Sequence, residues 1–300
     1  MPELPDITVY CERFRAVFGG QRLEAARIGA PFLVRSVAPA VADGVGRRLV
    51  GVRRLGKRIV WELEGELYFV FHLMIAGRFR KKERGVKLPG KVGLAAFDFE
   101  RAAALLTEAG TKRRASLYVV AGGDGLAVHD PGGLEIDGAS FDGFRQALTQ
   151  RNHTLKRALT DPRIFSGIGN AYSDEILWEA RLSPVTWTTR LDEAQLARLF
   201  AATSGQLARW SARLLDEVGD GFPDKVTAFH PAMAVHGRFG QPCPRCGAPV
   251  QRIRYADNET NYCPPCQTDG KLLADRGLSR LLGKDWPKTL DELEALKRDR

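Results

Sequence analysis

The sequence predicts a multidomain α+β protein, and three observations carry that expectation. Residues 1–130 are dominated by short apolar runs separated by glycine and charge, the pattern of strands and turns. From about Gly132 the apolar spacing lengthens to that of helices. Near the end, Cys243-x-x-Cys246 and Cys263-x-x-Cys266 form two close pairs. A chain of 300 residues is long enough for about two domains with their own cores.

Between Asp6 and Phe18, the residues Ile7, Tyr10, Cys11, Phe14, Val17 and Phe18 recur at helical spacing. Runs 58–65 and 66–73 meet at Gly65 as a β-hairpin, and Val92–Phe99, Ala104–Thr107 and Ser116–Val120 are further strands. One helix on a β-sandwich is the simplest reading. Ser140 then caps a helix over Phe141–Gln150, and a second spans Thr154–Leu159. A glycine-bearing turn over Asp161–Asn170 leads into helices at Tyr172–Ala180 and Asp192–Val218. The latter carries Leu196, Leu199, Phe200, Leu207, Trp210 and Leu214 on one stripe. Gly219–Gly240 is rich in glycine and proline and predicts a loop, and Leu290–Lys297 predicts a solvated amphipathic helix.

With 44% hydrophobic and 27% charged residues, the composition excludes a disordered chain, a collagen and a coiled coil. Glu3 and Asp6 stand where a signal peptide has its basic region, and the apolar stretch Leu67–Ile75, interrupted by His72, is too short to span a bilayer. Five cysteines are too few for a secreted disulfide fold. The expected location is therefore the cytoplasm, in association with the nucleoid. Lys+Arg 45 against Asp+Glu 36 leaves +9, an excess that suits a polyanionic partner.

The cysteine spacing is that of a four-cysteine zinc ribbon, with two unrelated pairs of buried or redox thiols as the alternative. Four sulfur ligands leave no open position, so one such Zn2+ ion would hold a hairpin and perform no chemistry. Arg252 and Arg254 fall on that hairpin. Arg53, Arg54, Lys57 and Arg58 form one basic cluster just before a strand, and Lys112, Arg113 and Arg114 form another. Any one run of this kind is usually a solvated face, but with the ribbon and the net charge they favour duplex DNA or RNA. Gly167-Ile-Gly-Asn170 opens a helix whose first N–H groups suit a phosphate, the bland reading being an interhelical turn.

The opening Met1-Pro-Glu-Leu-Pro-Asp is followed in order by Lys57, His72-Leu73 with Gly77, Lys156, Gly167-Ile-Gly-Asn170 and Tyr262-Cys-Pro-Pro-Cys-Gln267. In this ordered set the chain resembles the formamidopyrimidine-DNA glycosylase/endonuclease VIII family of bacterial base-excision repair, from residue 2 to about 270. The resemblance implies an N-terminal catalytic β-sandwich domain (1–130), a helix–two-turn–helix DNA-binding domain (131–235), a zinc-ribbon finger (236–270) and a C-terminal extension (271–300). Damaged double-stranded DNA would lie between the halves of a monomer.

The implied activity is that of a bifunctional DNA glycosylase and AP lyase acting through an N-terminal proline Schiff base. Removal of Met1 would expose Pro2, whose amine has a reference pKa of ~8 against ~10.4 for lysine, so more of it is neutral at pH 7. A neutral amine can attack C1′ of a damaged nucleoside, and the resulting iminium acidifies the C2′ proton for β- or β,δ-elimination. Glu3, one peptide away, is placed to move protons. By resemblance Lys57 assists at the sugar, while Lys156 and Asn170 bind the phosphates beside a flipped nucleotide. His72 reads equally as a core histidine or as a residue near the DNA.

Four departures from the family pattern stand out. Ile75 occupies the place of the methionine that fills the gap left by the flipped base. The arginine–phenylalanine wedge falls at Arg114 and Ala115. The finger arginine falls at Asn258, with Arg252 or Arg254 as its replacement. The Gly219–His236 connector is also shorter than the loop that caps oxidised purines. Oxidised pyrimidines or ring-opened bases are therefore expected ahead of 8-oxoguanine. A protein that binds damaged or abasic DNA with little turnover is the alternative.

Overall fold

Helix α1 (Leu4–Phe18) begins where local chemistry dictates. The Asp6 carboxylate accepts the Glu3 N–H at 2.8 Å, satisfying a donor that the helix start leaves open. Pro5 stands in the first turn, where a missing N–H costs nothing. The computed structural model describes residues 1–223, 229–255 and 258–298. It divides into two compact units, Met1–Gly132 with Ala208–Thr227, and Gly133–Leu207 with Ala228–Arg300.

The first unit is a sandwich of two antiparallel four-stranded sheets. One has the order β2 (Leu49–Leu55), β3 (Arg58–Leu63), β4 (Leu67–His72), β8 (Ser116–Ala121). The other runs β1 (Leu23–Ile28), β6 (Gly93–Phe99), β7 (Ala103–Glu108), β5 (Gly77–Lys82). Alternation sets the faces: Ile59, Trp61 and Leu63 from β3 and Phe69 and Phe71 from β4 enter the main core with Phe79, Phe97 and Phe99. Phe14 of α1 lies at its centre, with its ring centroid 5.0 Å from those of Trp61 and Phe222 and 4.9 Å from that of Phe79.

Val60 and Val70 face the other way and meet Leu126 of α2 (Gly122–Ala127). Buried on both faces, β4 reads as a continuous apolar run rather than an alternating one. The hairpin at Gly65 forms as expected, with Leu63 opposite Leu67 and Gly65 at φ 74°.

The second unit contains α3 (Phe141–Thr149), α4 (Leu155–Thr160) and α5 (Asn170–Glu179), and the division between the units falls within α6 (Glu193–Val218). The Ser140 hydroxyl accepts the Gly143 N–H at 3.1 Å, the cap expected from the sequence. A finger hairpin follows, β9 (Gln251–Tyr255) with β10 (Asn258–Tyr262), then a short α7 (Pro264–Gln267). The tail adds α8 (Arg276–Leu282) and α9 (Leu290–Arg298). Part of the expected 219–240 loop lies outside the described residues.

Several elements differ from the sequence reading. Arg53 and Arg54 lie inside β2 rather than ahead of a strand, because a register shift between Leu49 and Gly51 breaks the alternation that marks one. Strand β5 carries Arg78, Arg80, Lys81 and Lys82 around the apolar Phe79, so its composition hides it. Helix α2 contains three glycines, Gly122, Gly123 and Gly125, which oppose helix formation, and Leu126 is the side chain it buries against the sandwich. The amphipathic helix expected at Leu290–Lys297 forms as α9 with no buried residue among those described, while the segment ahead of it, to which the sequence assigned no role, ties to the finger. Leu273 N–H donates to the Tyr262 hydroxyl at 2.7 Å, and the Asp275 carboxylate accepts Arg254 N–H at 2.8 Å.

Two expectations follow for stability. Phe14→Ala should destabilise the first unit by about 3–5 kcal/mol, read as a lower urea midpoint of its transition. His72 sits at the end of β4 opposite Arg58 and Ser116, and burial, with the Arg58 and Lys57 charges, lowers its pKa from 6.5 to about 4. Above the upper value both states hold a neutral ring. Between the two values the unfolded chain alone takes a proton, so stability falls with falling pH by on the order of 2–3 kcal/mol. His72→Asn should flatten that limb in urea midpoints measured across the same range.

Candidate functional site

Helix α1 fixes the chain's beginning against the sandwich. Pro2, Glu3 and Asp6 are all buried there. Burial is the largest influence on the terminal amine of Met1, and it disfavours the ammonium form. Glu3 and Asp6 oppose that effect through space, whereas Arg78 and Lys57 add to it. Lys57 is half-buried in the two-residue turn between β2 and β3, beside Gly56 at φ 59°. The first unit therefore gathers Pro2, Glu3 and Lys57 around one amine, with Arg78 as a member that the sequence reading missed.

Ile75 sits in a tight turn between β4 and β5. The Gly77 N–H closes it on the Leu73 carbonyl at 2.9 Å, and Met74 takes a left-handed φ of 52°. A Cβ at Gly77 would come within 2.4 Å of that carbonyl oxygen, so glycine is required. The turn leaves the Ile75 side chain 65% exposed, an apolar group held out toward solvent. Gly77 pairs with Glu108 across β5 and β7, and the Glu108 carboxylate accepts the N–H groups of Arg114 and Ala115, both at 3.1 Å. The Ile75 turn and the Arg114 segment are thus neighbours. Arg114 is exposed, but Ala115 is fully buried in the sandwich core and offers nothing to stack.

The second unit gathers its own set. Lys156 Nζ donates to the Asn170 carbonyl at 2.7 Å and to the fully buried carboxylate of Asp174 at 2.5 Å. The other Asp174 oxygen lies 2.7 Å from His236 Nδ1 and accepts the Asn261 N–H of β10 at 3.1 Å. Asn170 Nδ2 donates to the Glu259 carbonyl at 2.9 Å. Glu175 accepts the N–H groups of Ala234, Val235 and His236 at 2.7–2.9 Å. Burial pushes its carboxyl upward in pKa, and those three donors pull it back.

Lysine has three donors, so among the described residues these two contacts leave Lys156 one N–H for a further oxygen. The adjacent acids Asp174 and Glu175, one turn beyond Asn170, were the signal available in the sequence; His236 had none.

On the hairpin, Arg252 Nη1 lies 3.4 Å from a Glu259 oxygen, and its guanidinium is 4.1 Å from the centroid of the Phe239 ring. Arg254 and Asn258 are exposed. Cys243, Cys246, Cys263 and Cys266 bring their sulfurs within 4.8 Å of one another. A tetrahedral zinc with bonds of about 2.3 Å spaces its sulfurs about 3.8 Å apart. The Cys243–Cys266 and Cys246–Cys263 separations of 4.0 and 3.4 Å bracket that value, so the four fit one structural ion. Trp178 of α5 donates its indole N–H to Cys243 Sγ at 3.3 Å, with the Arg245 guanidinium 4.0 Å from its ring centroid.

Family comparisons agree with this organisation. Residues 1–115 match the formamidopyrimidine-DNA glycosylase N-terminal domain, 133–209 its H2TH domain, and 240–268 the zinc finger found in FPG and IleRS. The chain is 34% identical over 283 residues to the formamidopyrimidine-DNA glycosylase of Thermus thermophilus, covering 90% of this chain and all of that one. It is 31% identical over 284 residues to the enzyme of Acidothermus cellulolyticus, covering 89% and 97%.

The crystal structure of the MutM (Fpg) protein from Thermus thermophilus superposes with a TM-score of 0.73 at 33% identity, over 89% of this chain and 98% of that one. The Lactococcus lactis Fpg in complex with abasic-site DNA shares the fold with a TM-score of 0.76 at 21% identity, over 89% and 99% of the two chains. With its sandwich, helical domain and four-cysteine finger all matched, the chain belongs to the formamidopyrimidine-DNA glycosylase family of DNA-repair enzymes.

Proposed function

We propose that this protein is a bifunctional DNA glycosylase and AP lyase that removes oxidised bases from duplex DNA with Pro2 as nucleophile. The observation that carries the reading is the fixed, buried chain start, where Pro2 and Glu3 share one pocket of charge with Lys57 and Arg78. Once Met1 is removed, burial and the two cations favour the neutral proline amine, which forms a bond to C1′ as the bond from C1′ to the base breaks.

Glu3 protonates the opening sugar oxygen and Lys57 assists at the sugar. The electron pair left when C2′ loses a proton expels the 3′ phosphate. Lys156 and Asn170 bind the backbone phosphates beside the flipped nucleotide, with Arg252 or Arg254 adding a finger contact. Ile75 fills the vacated place in the stack and Arg114 faces the opposite strand. The abasic-site and damaged-base DNA in the Lactococcus lactis Fpg complexes supports damaged DNA as the partner. A bacterial cytoplasm and a monomeric enzyme complete the reading; among the described residues no helix is long and apolar enough to cross a membrane.

Ala115 in the core and Asn258 in place of a finger arginine favour a second reading, a protein that binds damaged or abasic DNA with little turnover. Borohydride separates the two. Trapping of an abasic-site duplex on the processed terminus, mapped to Pro2 by mass spectrometry, supports the enzyme; binding without an adduct supports the alternative. Glu3→Gln should abolish excision of an intact damaged base while retaining duplex binding, and excision at the unaltered rate would refute its role. In a lesion panel, oxidised pyrimidines and ring-opened purines should be cut ahead of 8-oxoguanine opposite cytosine.

A further inference from the structure

Arg78 is the second residue of β5 and is buried in the first unit, only 6% exposed. Its guanidinium donates from Nη1 to the Gly77 carbonyl and from Nη2 to the Ile75 carbonyl at 3.3 Å. Both acceptors belong to the turn that holds Ile75 out toward solvent. The same side chain acts through space on the Met1 amine, one residue ahead of Pro2. The groups facing that amine are Glu3 and Asp6 from the start of α1, Lys57 from the β2–β3 turn, and Arg78 from β5. Arg78 itself feels Tyr10, Asp6, Arg80 and Glu108.

We propose that Arg78 is a positioning residue that joins the Ile75 turn to the chain start, fastening two carbonyls of the turn while setting a buried positive charge in the region where removal of Met1 would place the Pro2 amine. The inference rests on the Pro2 reading above. Its first half is geometric. A planar guanidinium can hold two carbonyls that point in different directions, which a single ammonium cannot do with the same fixed geometry. The turn already carries a left-handed residue at Met74, so its shape depends on what ties it. The second half is electrostatic. Arginine stays charged even when desolvated, and a fixed cation nearby disfavours a second one, leaving the amine in the form that attacks carbon. One side chain thereby supports both the residue meant to occupy the emptied stack and the atom meant to bond to the sugar.

Arg78→Gln and Arg78→Lys separate the halves. Two rates are measured in full-length, zinc-loaded protein: borohydride trapping on a duplex with a preformed abasic site, across pH, and single-turnover excision of a damaged base. With Arg78→Gln the rising limb of trapping should move to higher pH, so that trapping near pH 6 falls roughly three- to tenfold while the alkaline plateau is kept. With Arg78→Lys the limb should stay at its wild-type position, yet excision should fall roughly tenfold because the turn is no longer held in place.

A limb that does not move in Arg78→Gln, or wild-type excision by Arg78→Lys, overturns the proposal. If Arg78→Gln lacks a thermal transition, the lysine variant decides alone: a displaced limb or undiminished excision refutes it. Wild-type protein that traps nothing at Pro2 would overturn the proline reading instead.

Discussion

One hydrogen bond at the chain's beginning governs the first unit. The Asp6 carboxylate on the Glu3 N–H starts α1 and so stops Pro2 and Glu3 from fraying, as chain ends ordinarily do. Once those residues are held, burial falls on the Met1 amine just ahead of them, and burial is the largest influence on its charge. Glu3 and Asp6 answer with negative charge, and Lys57 and Arg78 with positive. The result is a terminal amine set between two carboxylates and two cations, so that its protonation answers to its surroundings as well as to its intrinsic basicity.

The second unit solves a related problem with a single carboxylate. Asp174 is fully buried, and an isolated carboxylate there would be costly. Lys156, His236 and Asn261 each supply a partner, from α4, the loop before the finger, and β10. The charge is thereby satisfied, and three chain segments are drawn to one point. Asn170 adds a fourth link by donating to Glu259. A lysine held in this way loses rotamer freedom before any ligand arrives, which lowers the entropy cost of whatever further contact its ammonium makes.

Much of this was legible where local rules operate alone. The spacing of Ile7, Tyr10, Phe14 and Phe18 marks α1, Ser140 marks the start of α3, Gly65 marks the hairpin, and the cysteine pairs mark the finger. Strand β5 and helix α2 were not legible, because one hides its apolar residue among cations and the other is helical against its own glycines. Arg78 and Asp174 were missed for a different reason. A charged residue is read as exposed unless its partners are known, and both find theirs only in the folded chain. Ala115 illustrates the converse. The sequence shows the lost aromatic ring, but only the structure shows that the remaining methyl points into the core.

Phe222 has a consequence for how the protein is made. It packs among Tyr10, Phe14 and Phe18, and Tyr10 donates its hydroxyl proton to the Pro223 carbonyl at 3.0 Å. Arg13 reaches the carbonyls of Asp220 and Gly221 beside it. These partners leave the ribosome long after the strands they seal. The nascent sandwich must therefore wait with an aromatic gap beside α1 until the helical region has been synthesised, and during that interval an apolar surface is open to chaperones and to neighbouring chains.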